Sequence, residues 1–238
     1  MTEPEASATG ADALKRAAGE HAASLVRPGM VVGLGTGSTA VFATRRIGEL
    51  LGSGALSDVA GVATSRATEA EARRAGIPLL PETMPREIDL TIDGADEVSP
   101  ALDLIKGGGG ALLREKIVAQ NSRRVVIVVD ESKLSAALAM RHALPVEITR
   151  FGSEAQERFV RSLGGRPVLR RTPAGEPFET DQGNWILDCA FSPIFDPRPL
   201  AERLAERAGI VEHGLFCRLA AEVIVAGPGG VRVLTRGR

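Results

Sequence analysis

Ala13, Leu14, Ala17, Ala18, Ala22 and Leu25 recur at the spacing of one helix face, which predicts a helix from Ala11 to Val26, stopped by Arg27-Pro28-Gly29. "MVVGLG" (30–35) follows as a short, wholly apolar strand, and "GSTAVFATRRIGELL" (37–51) reads as a helix behind a tight glycine turn. The alternation repeats: "DVAGVAT" strand, "TEAEARRAG" helix, "IPLL" strand, "IDLTIDGAD" strand, "ALLREKIVAQ" helix, "RRVVIVVD" strand. Strands with no polar face, alternating with helices, predict an α/β fold: a mostly parallel sheet with helices on both faces.

After Asp130 the pattern changes. "LPVEIT" is a strand, and "GSEAQERFVRSLGG" a helix that a Ser153-x-x-Gln156 capping box would open. "RPVLRR" and "NWILDCAF" are strands, and "PLAERLAERAG" is a helix. This β-α-β-β-α order predicts a smaller α+β unit of split βαβ, ferredoxin-like type. "EVIVAGPGGVRVL" contains a strand able to rejoin the first sheet, which makes the small unit an insertion. The expected organisation is therefore a main domain from residues 1–134 and 209–238, interrupted by residues 135–208. "RRTPAGEPFETDQGN" is the expected long, exposed hairpin connection.

Composition narrows the function. Only 3% of the 238 residues are aromatic, with no tyrosine, which disfavours a stacking platform for single-stranded nucleic acid. Lys+Arg 29 against Asp+Glu 30 leaves a net charge of −1, which argues against a general polyanion binder but permits a local anion pocket. Cys189 and Cys217 form no disulfide framework and no metal-ligand spacing, and read as small core residues. The first 26 residues lack a signal-peptide design and no apolar run reaches ~18 residues, so a soluble, cytoplasmic protein without membrane contact is expected. Residues 1 to about 10 are expected to be a frayed tail.

Four segments carry candidate chemistry. "GLGTGSTA" (33–40) ends the first strand where open α/β sheets bind ligands, and offers an anion the N-terminus of the next helix with the Ser38 and Thr39 hydroxyls. A tight corner explains it equally well. Gly35-x-Gly37-x-x-Ala40 also fits a relaxed dinucleotide fingerprint, but Thr64 and Ser65 stand where that reading needs an acid, so a single phosphate fits better. "TIDGADEV" sets Asp93 and Asp96 around a Gly94-Ala95 turn, either a solvated loop or carboxylates that accept sugar hydroxyls and move protons. "LIKGGGGALLREKIV" places Lys106 before four glycines and Glu115 about one turn into a helix. Glu115 is either an ordinary exposed helical acid or, among Ala111, Leu112, Ile117 and Val118, a carboxylate in a partly dry pocket with a raised pKa. "VVDESKL" ends a strand at Asp130 and brings Lys133 to the same edge; its alternative is a surface lysine.

Together "ALKRAAGEHA", "GMVVGLGTGSTA", "DLTIDGADEV", "IKGGGGALLREKIVA", "VVDESKL", "LPVEI", "TDQGNWILD" and "GLF" closely resemble the type A ribose-5-phosphate isomerases over essentially the whole chain. The resemblance implies a Rossmann-like domain with a small α+β lid, and a homodimer or homotetramer that interconverts D-ribose 5-phosphate and D-ribulose 5-phosphate with neither metal nor cofactor. It implies Glu115 as general base and Lys106 with the N–H groups of Gly107, Gly108 and Gly109 as stabilisers of an enediolate. Asp93 and Asp96, around Gly94 and Ala95, would bind hydroxyls or assist ring opening. Thr36, Gly37, Ser38 and Thr39 would take the phosphate, helped by Lys133 and Lys15. Three features depart from the family pattern: Gly110 where alanine is expected, Arg66 within a hydroxyl-rich run, and a long arginine-bearing segment before Thr180.

Other readings fare worse. A metal-dependent isomerase needs clustered ligands, whereas His21, His142 and His213 lie in separate elements. A sugar-phosphate sensor of a transcription regulator would need a DNA-reading helix-turn-helix, and a single helix precedes the first strand.

Overall fold

A computed structural model of the chain describes residues 10–236; all but the last residue of the expected frayed tail lies outside them. The first helix, α1 (Gly10–Ala23), packs Ala18 and Ala22 inward at no exposure and is followed by β1 (Val31–Leu34), α2 (Ala40–Gly52), β2 (Ala60–Ala63) and α3 (Arg66–Arg74). Then come β3 (Leu90–Asp93), two short strands β4 (Glu97–Val98) and β5 (Leu104–Ile105), α4 (Leu112–Gln120) and β6 (Val125–Asp130). The next stretch holds β7 (Leu144–Ile148), α5 (Ser153–Ser162), β8 (Arg166–Leu169), β9 (Trp185–Ala190), α6 (Arg198–Ala205) and β10 (Ile210–His213). The chain closes with β11 (Leu215–Phe216), β12 (Glu222–Gly227) and β13 (Gly230–Thr235).

Six strands form the main sheet in the order β13-β12-β6-β3-β1-β2. All pair in parallel except β13, which returns antiparallel on β12 as an edge strand. Strands β1 and β3 are buried at every position because both faces are covered, as their lack of polar alternation predicts. One core joins Ala18, Ile47 and Ala72 of the helices to Val32, Ile92 and Ile224 of the sheet. A second joins Leu112 of α4 to Ile127, Val225 and Phe216, and extends to Ile186 of β9. From β1 the chain steps outward to β2 and then returns to β3 on the other side of β1. The crevice beyond the ends of β1 and β3 is thus the switch point where such sheets bind ligands.

The antiparallel sheet has the order β10-β7-β9-β8, with Val146, Val160, Leu187, Cys189 and Leu204 in its core. Because β10 pairs with β7, this sheet runs on to His213, past residue 208. A third sheet, β11-β5-β4, takes two strands from between β3 and β6 and one from between β10 and β12; strands of two residues carry too little periodicity to be read from sequence.

Two expected local features are absent. Ile77–Leu80 forms no strand and makes a single bridge, Leu79 with Gly61, since Pro78 and Pro81 interrupt its donors. The Ser153–Gln156 capping box does not form: the cap of α5 is Gly152 at φ 76°, and Gln156 turns inward to accept from Arg207 Nε at 3.2 Å. Among the described residues no helix is long and apolar enough to cross a membrane.

Candidate active site

The switch-point crevice holds a cavity of about 100 Å³ lined by Thr36 to Thr39, Gly94 to Asp96, Lys106 to Gly109, Glu115 and Lys133. Three of the four segments singled out from sequence, and Lys133 of the fourth, therefore converge on one spot. Asp93 lies directly behind the wall, and Lys15 on α1 does not line the cavity. A groove of about 800 Å³ along Leu79, Leu80, Met84 and Arg114 is larger, but none of the candidate residues lines it.

Its first wall is the turn from β1 into α2. Gly35 is required there by close approach, since a Cβ would stand 2.3 Å from Asp93 Oδ1. Thr36 is held by a cluster of hydroxyls: its Oγ1 lies 2.8 Å from Thr64 Oγ1, 2.8 Å from Ser65 Oγ and 3.0 Å from Thr68 Oγ1. No side chain caps the N-terminus of α2, and Gly37 to Thr39, at the positive end of the helix, line the cavity. That end suits a phosphate.

At the second wall, Lys106 Nζ lies 3.1 Å from Asp93 Oδ2, 3.1 Å from Glu115 Oε1 and 2.5 Å from the Gly94 carbonyl that accepts its proton. All three ionisable side chains are at least 95% buried, so the pairing is strong and the total charge is one negative too many. Asp93 Oδ1 accepts the N–H groups of Thr36 (3.1 Å) and Gly94 (2.7 Å), whereas Glu115 Oε2 is buried without any partner. Burial raises the pKa of both acids against the pull of Lys106, and Glu115, with Asp93 and Asp96 adding to the effect, is pushed up to about 8. Burial opposes the charge on Lys106, but Asp93, Glu115 and Asp96 outweigh it and raise its pKa. Amide donors stabilise the anion on Asp93, whereas the free oxygen of Glu115 has none.

The glycine loop forms the third wall. Gly107 and Gly110 adopt φ of 103° and 82°, values that a side chain disfavours. At Gly110 a Cβ would also come within 2.6 Å of the Phe178 ring, which accounts for glycine where the family pattern suggests alanine. Gly108 N–H donates to Asp96 Oδ2 at 2.7 Å, so Asp96 braces the loop while lining the cavity.

Several contributors were not singled out from sequence. Thr64, Ser65 and Thr68 are visible only as a hydroxyl-rich run. Asp181, in the turn before β9, accepts Arg66 N–H at 2.8 Å and ties the antiparallel unit to the start of α3. Arg170 reaches the glycine loop from the end of β8. None of these pairings leaves a local signal. Among the described residues no group of three or more His, Cys, Asp or Glu could hold a metal ion.

A positive helix end facing a buried acid–lysine–acid group at a sheet switch point defines an acid–base site for a small phosphorylated ligand. The matching family model is ribose 5-phosphate isomerase A (phosphoriboisomerase A), over residues 60–230. Ribose-5-phosphate isomerase A of Chloroflexus aurantiacus is 55% identical over 95% of each chain, and that of Desulfatibacillum aliphaticivorans 50% identical over 94% of this chain and 97% of the other. A D-ribose-5-phosphate isomerase solved with phospho-erythronic acid superposes with a TM-score of 0.93 at 34% identity, over 96% of this chain and all of the other. The Plasmodium falciparum enzyme superposes with a TM-score of 0.90 at 40% identity, over 95% of this chain and all of the other. The chain belongs to the ribose 5-phosphate isomerase A family.

Proposed function

We propose that the protein interconverts D-ribose 5-phosphate and D-ribulose 5-phosphate through an enediolate without a metal ion, in the non-oxidative part of pentose phosphate metabolism. The observation that carries this reading is Lys106 Nζ at 3.1 Å from both Asp93 and Glu115, buried beside the open end of α2. Phosphate binds at Thr36 to Thr39 with Lys133, which sets the sugar's reacting carbons toward Glu115. Glu115 takes the proton from C2 of the open-chain aldose and returns it to C1. Negative charge developing on O1 is met by Lys106 and the loop amides, which are organised before the substrate arrives. Asp96 faces the hydroxyls, Asp93 acts through Lys106, and proton movement between O1 and O2 falls to this group.

The antiparallel unit, expected over residues 135–208, serves as lid and oligomer contact, and the working form is a homodimer or homotetramer in the cytoplasm. Lys106 already supplies the fixed cation that a metal would bring, which supports the metal-free route. Incubating the metal-stripped protein with ribose 5-phosphate in D₂O and following the reaction by NMR tests the function. Ketose formation with deuterium at C1 or C2 is expected. Conversion only after a divalent ion is restored overturns the metal-free route, and conversion with no deuterium leaves a hydride shift or a fully shielded base. Binding without conversion replaces the enzyme by a sugar-phosphate sensor.

A further inference from the structure

The glycine loop is held from outside the main sheet. Arg170 Nη1 donates to the carbonyls of Gly107 and Gly108, each at 3.0 Å. Its Nε and Nη2 pair with the two carboxylate oxygens of Asp188 at 2.9 and 2.6 Å, and its guanidinium lies 5.6 Å from the ring centre of Phe178. The side chain is only 14% exposed. A guanidinium so fixed has one direction in which it can pull the loop.

That direction matters because a trans peptide sets its C=O and the next N–H on opposite sides. With the Gly107 carbonyl turned to Arg170, the Gly108 N–H points away from it and meets Asp96 at 2.7 Å. With the Gly108 carbonyl likewise turned to Arg170, the Gly109 N–H points to the side opposite Arg170, and Gly109 lines the cavity beside Lys106 and Glu115. Within the loop the Gly110 N–H also donates to the Gly107 carbonyl at 2.9 Å, whereas the Gly108 carbonyl, whose peptide sets the Gly109 N–H, is held by Arg170 from outside.

We propose that Arg170 is a positioning residue for the isomerase reaction: by holding the carbonyls of Gly107 and Gly108 it directs the Gly109 N–H into the cleft as a donor to the enediolate oxygen. Asp188 orients Arg170, so the antiparallel unit completes the site without touching the substrate. The inference rests on the function proposed above, and turnover of ribose 5-phosphate by the wild-type protein tests that function separately in the same assay.

The experiment compares R170A, R170K and D188N with wild type in kcat, KM, inhibition by inorganic phosphate and inhibition by phospho-erythronic acid, whose planar carboxylate resembles an enediolate in shape. For R170A, kcat is expected to fall ~10- to 100-fold, as for loss of one oxyanion donor or somewhat less. KM should stay within about threefold, inorganic phosphate should inhibit as before, and phospho-erythronic acid should weaken with kcat/KM. R170K should restore little, because an ammonium cannot span two carbonyls and both oxygens of Asp188. Unchanged kcat in R170A, or equal weakening of both inhibitors, overturns the proposal, the second because it marks a general loosening. If R170A does not fold, D188N is judged by the same criteria. The Gly109 amide resonance of wild type gives an independent reading: it should shift when phospho-erythronic acid binds, and an unmoved resonance overturns the proposal.

Discussion

Lys106 and Lys116 lie over the same Phe216 ring, at 5.6 and 4.8 Å from its centre, and both are buried, yet their surroundings differ. Lys106 has Asp93 and Glu115 against it and Asp96 nearby, and together they outweigh the cost of burial and raise its pKa. Lys116 has Glu212 at 2.6 Å and the His213 carbonyl at 2.6 Å, and burial wins, lowering its pKa. His213 beside it is pushed down to about 3 by burial and by Lys116, so its ring stays neutral. Glu212 is paired across the strands with Glu147, whose Oε1 accepts from Thr180 and Asn184 at 2.9 Å while Oε2 has no partner.

Both groups therefore contain a buried lysine and a buried glutamate with one oxygen unpartnered. The Lys106 group lines the switch-point cavity, where a ligand can reach Glu115. The Lys116 group ties α4 to β10 and holds the helix that carries Glu115. A buried ion pair becomes reactive when a cleft reaches it; otherwise it fixes geometry.

The largest expected effect falls on the first group. Glu115→Gln should lower kcat ~10²- to 10⁴-fold with little change in KM, the range for loss of a positioned base. Steady-state kinetics retaining more than about a tenth of the wild-type kcat would remove Glu115 from that role.

The pH profile comes next. Glu115 must be ionised to act and its pKa is pushed up to about 8, so activity is lost as pH falls through that value. Between pH 8 and pH 6, kcat/KM should drop roughly 50-fold, as for one base of that pKa. A profile breaking in the ordinary carboxylate range would instead assign the base to a solvated acid.

For the second group the readout is stability. Lys116→Met should cost about 3 kcal/mol, because Glu212 loses its buried partner, while kcat per folded molecule stays within about twofold. Calorimetry and activity measured side by side separate the two roles; a collapse of kcat with unchanged melting would bring Lys116 into the chemistry.

Glu147→Gln should be the mildest. Burial raises the pKa of Glu147, so the native state binds more protons than the unfolded chain above the usual carboxylate pKa, and this residue's contribution to stability falls as pH rises there. The amide should remove that slope and change stability by at most ~1 kcal/mol at pH 5. A slope identical in wild type and variant would place Glu147 in its ordinary range.

Much of the site was legible because its parts are local. "GLGTGSTA", "TIDGAD", "KGGGG" and "REK" each combine a strand end or loop with a helix start, and ligands approach α/β sheets at that edge. Lys133 followed from the same reasoning. Lys15 did not follow into the cavity, since a position on the first helix says little about where that helix lies on the sheet. The capping box at Ser153 failed for a related reason: Gly152 took the cap once Gln156 was needed inside, against Arg207.

By itself the sequence determined the order of the longer helices and strands, the alternation that demands a parallel sheet and the set of groups at its ligand edge, because periodicity and turn chemistry act over a few residues. Tertiary structure alone decided the rest. It placed one lysine between two acids and raised Glu115 to about 8. It left Lys116 in a closed pair, and it brought Arg170 onto a glycine loop distant in the chain. Burial and charge depend on every neighbour in space, and most of those neighbours come from strands far apart in the sequence.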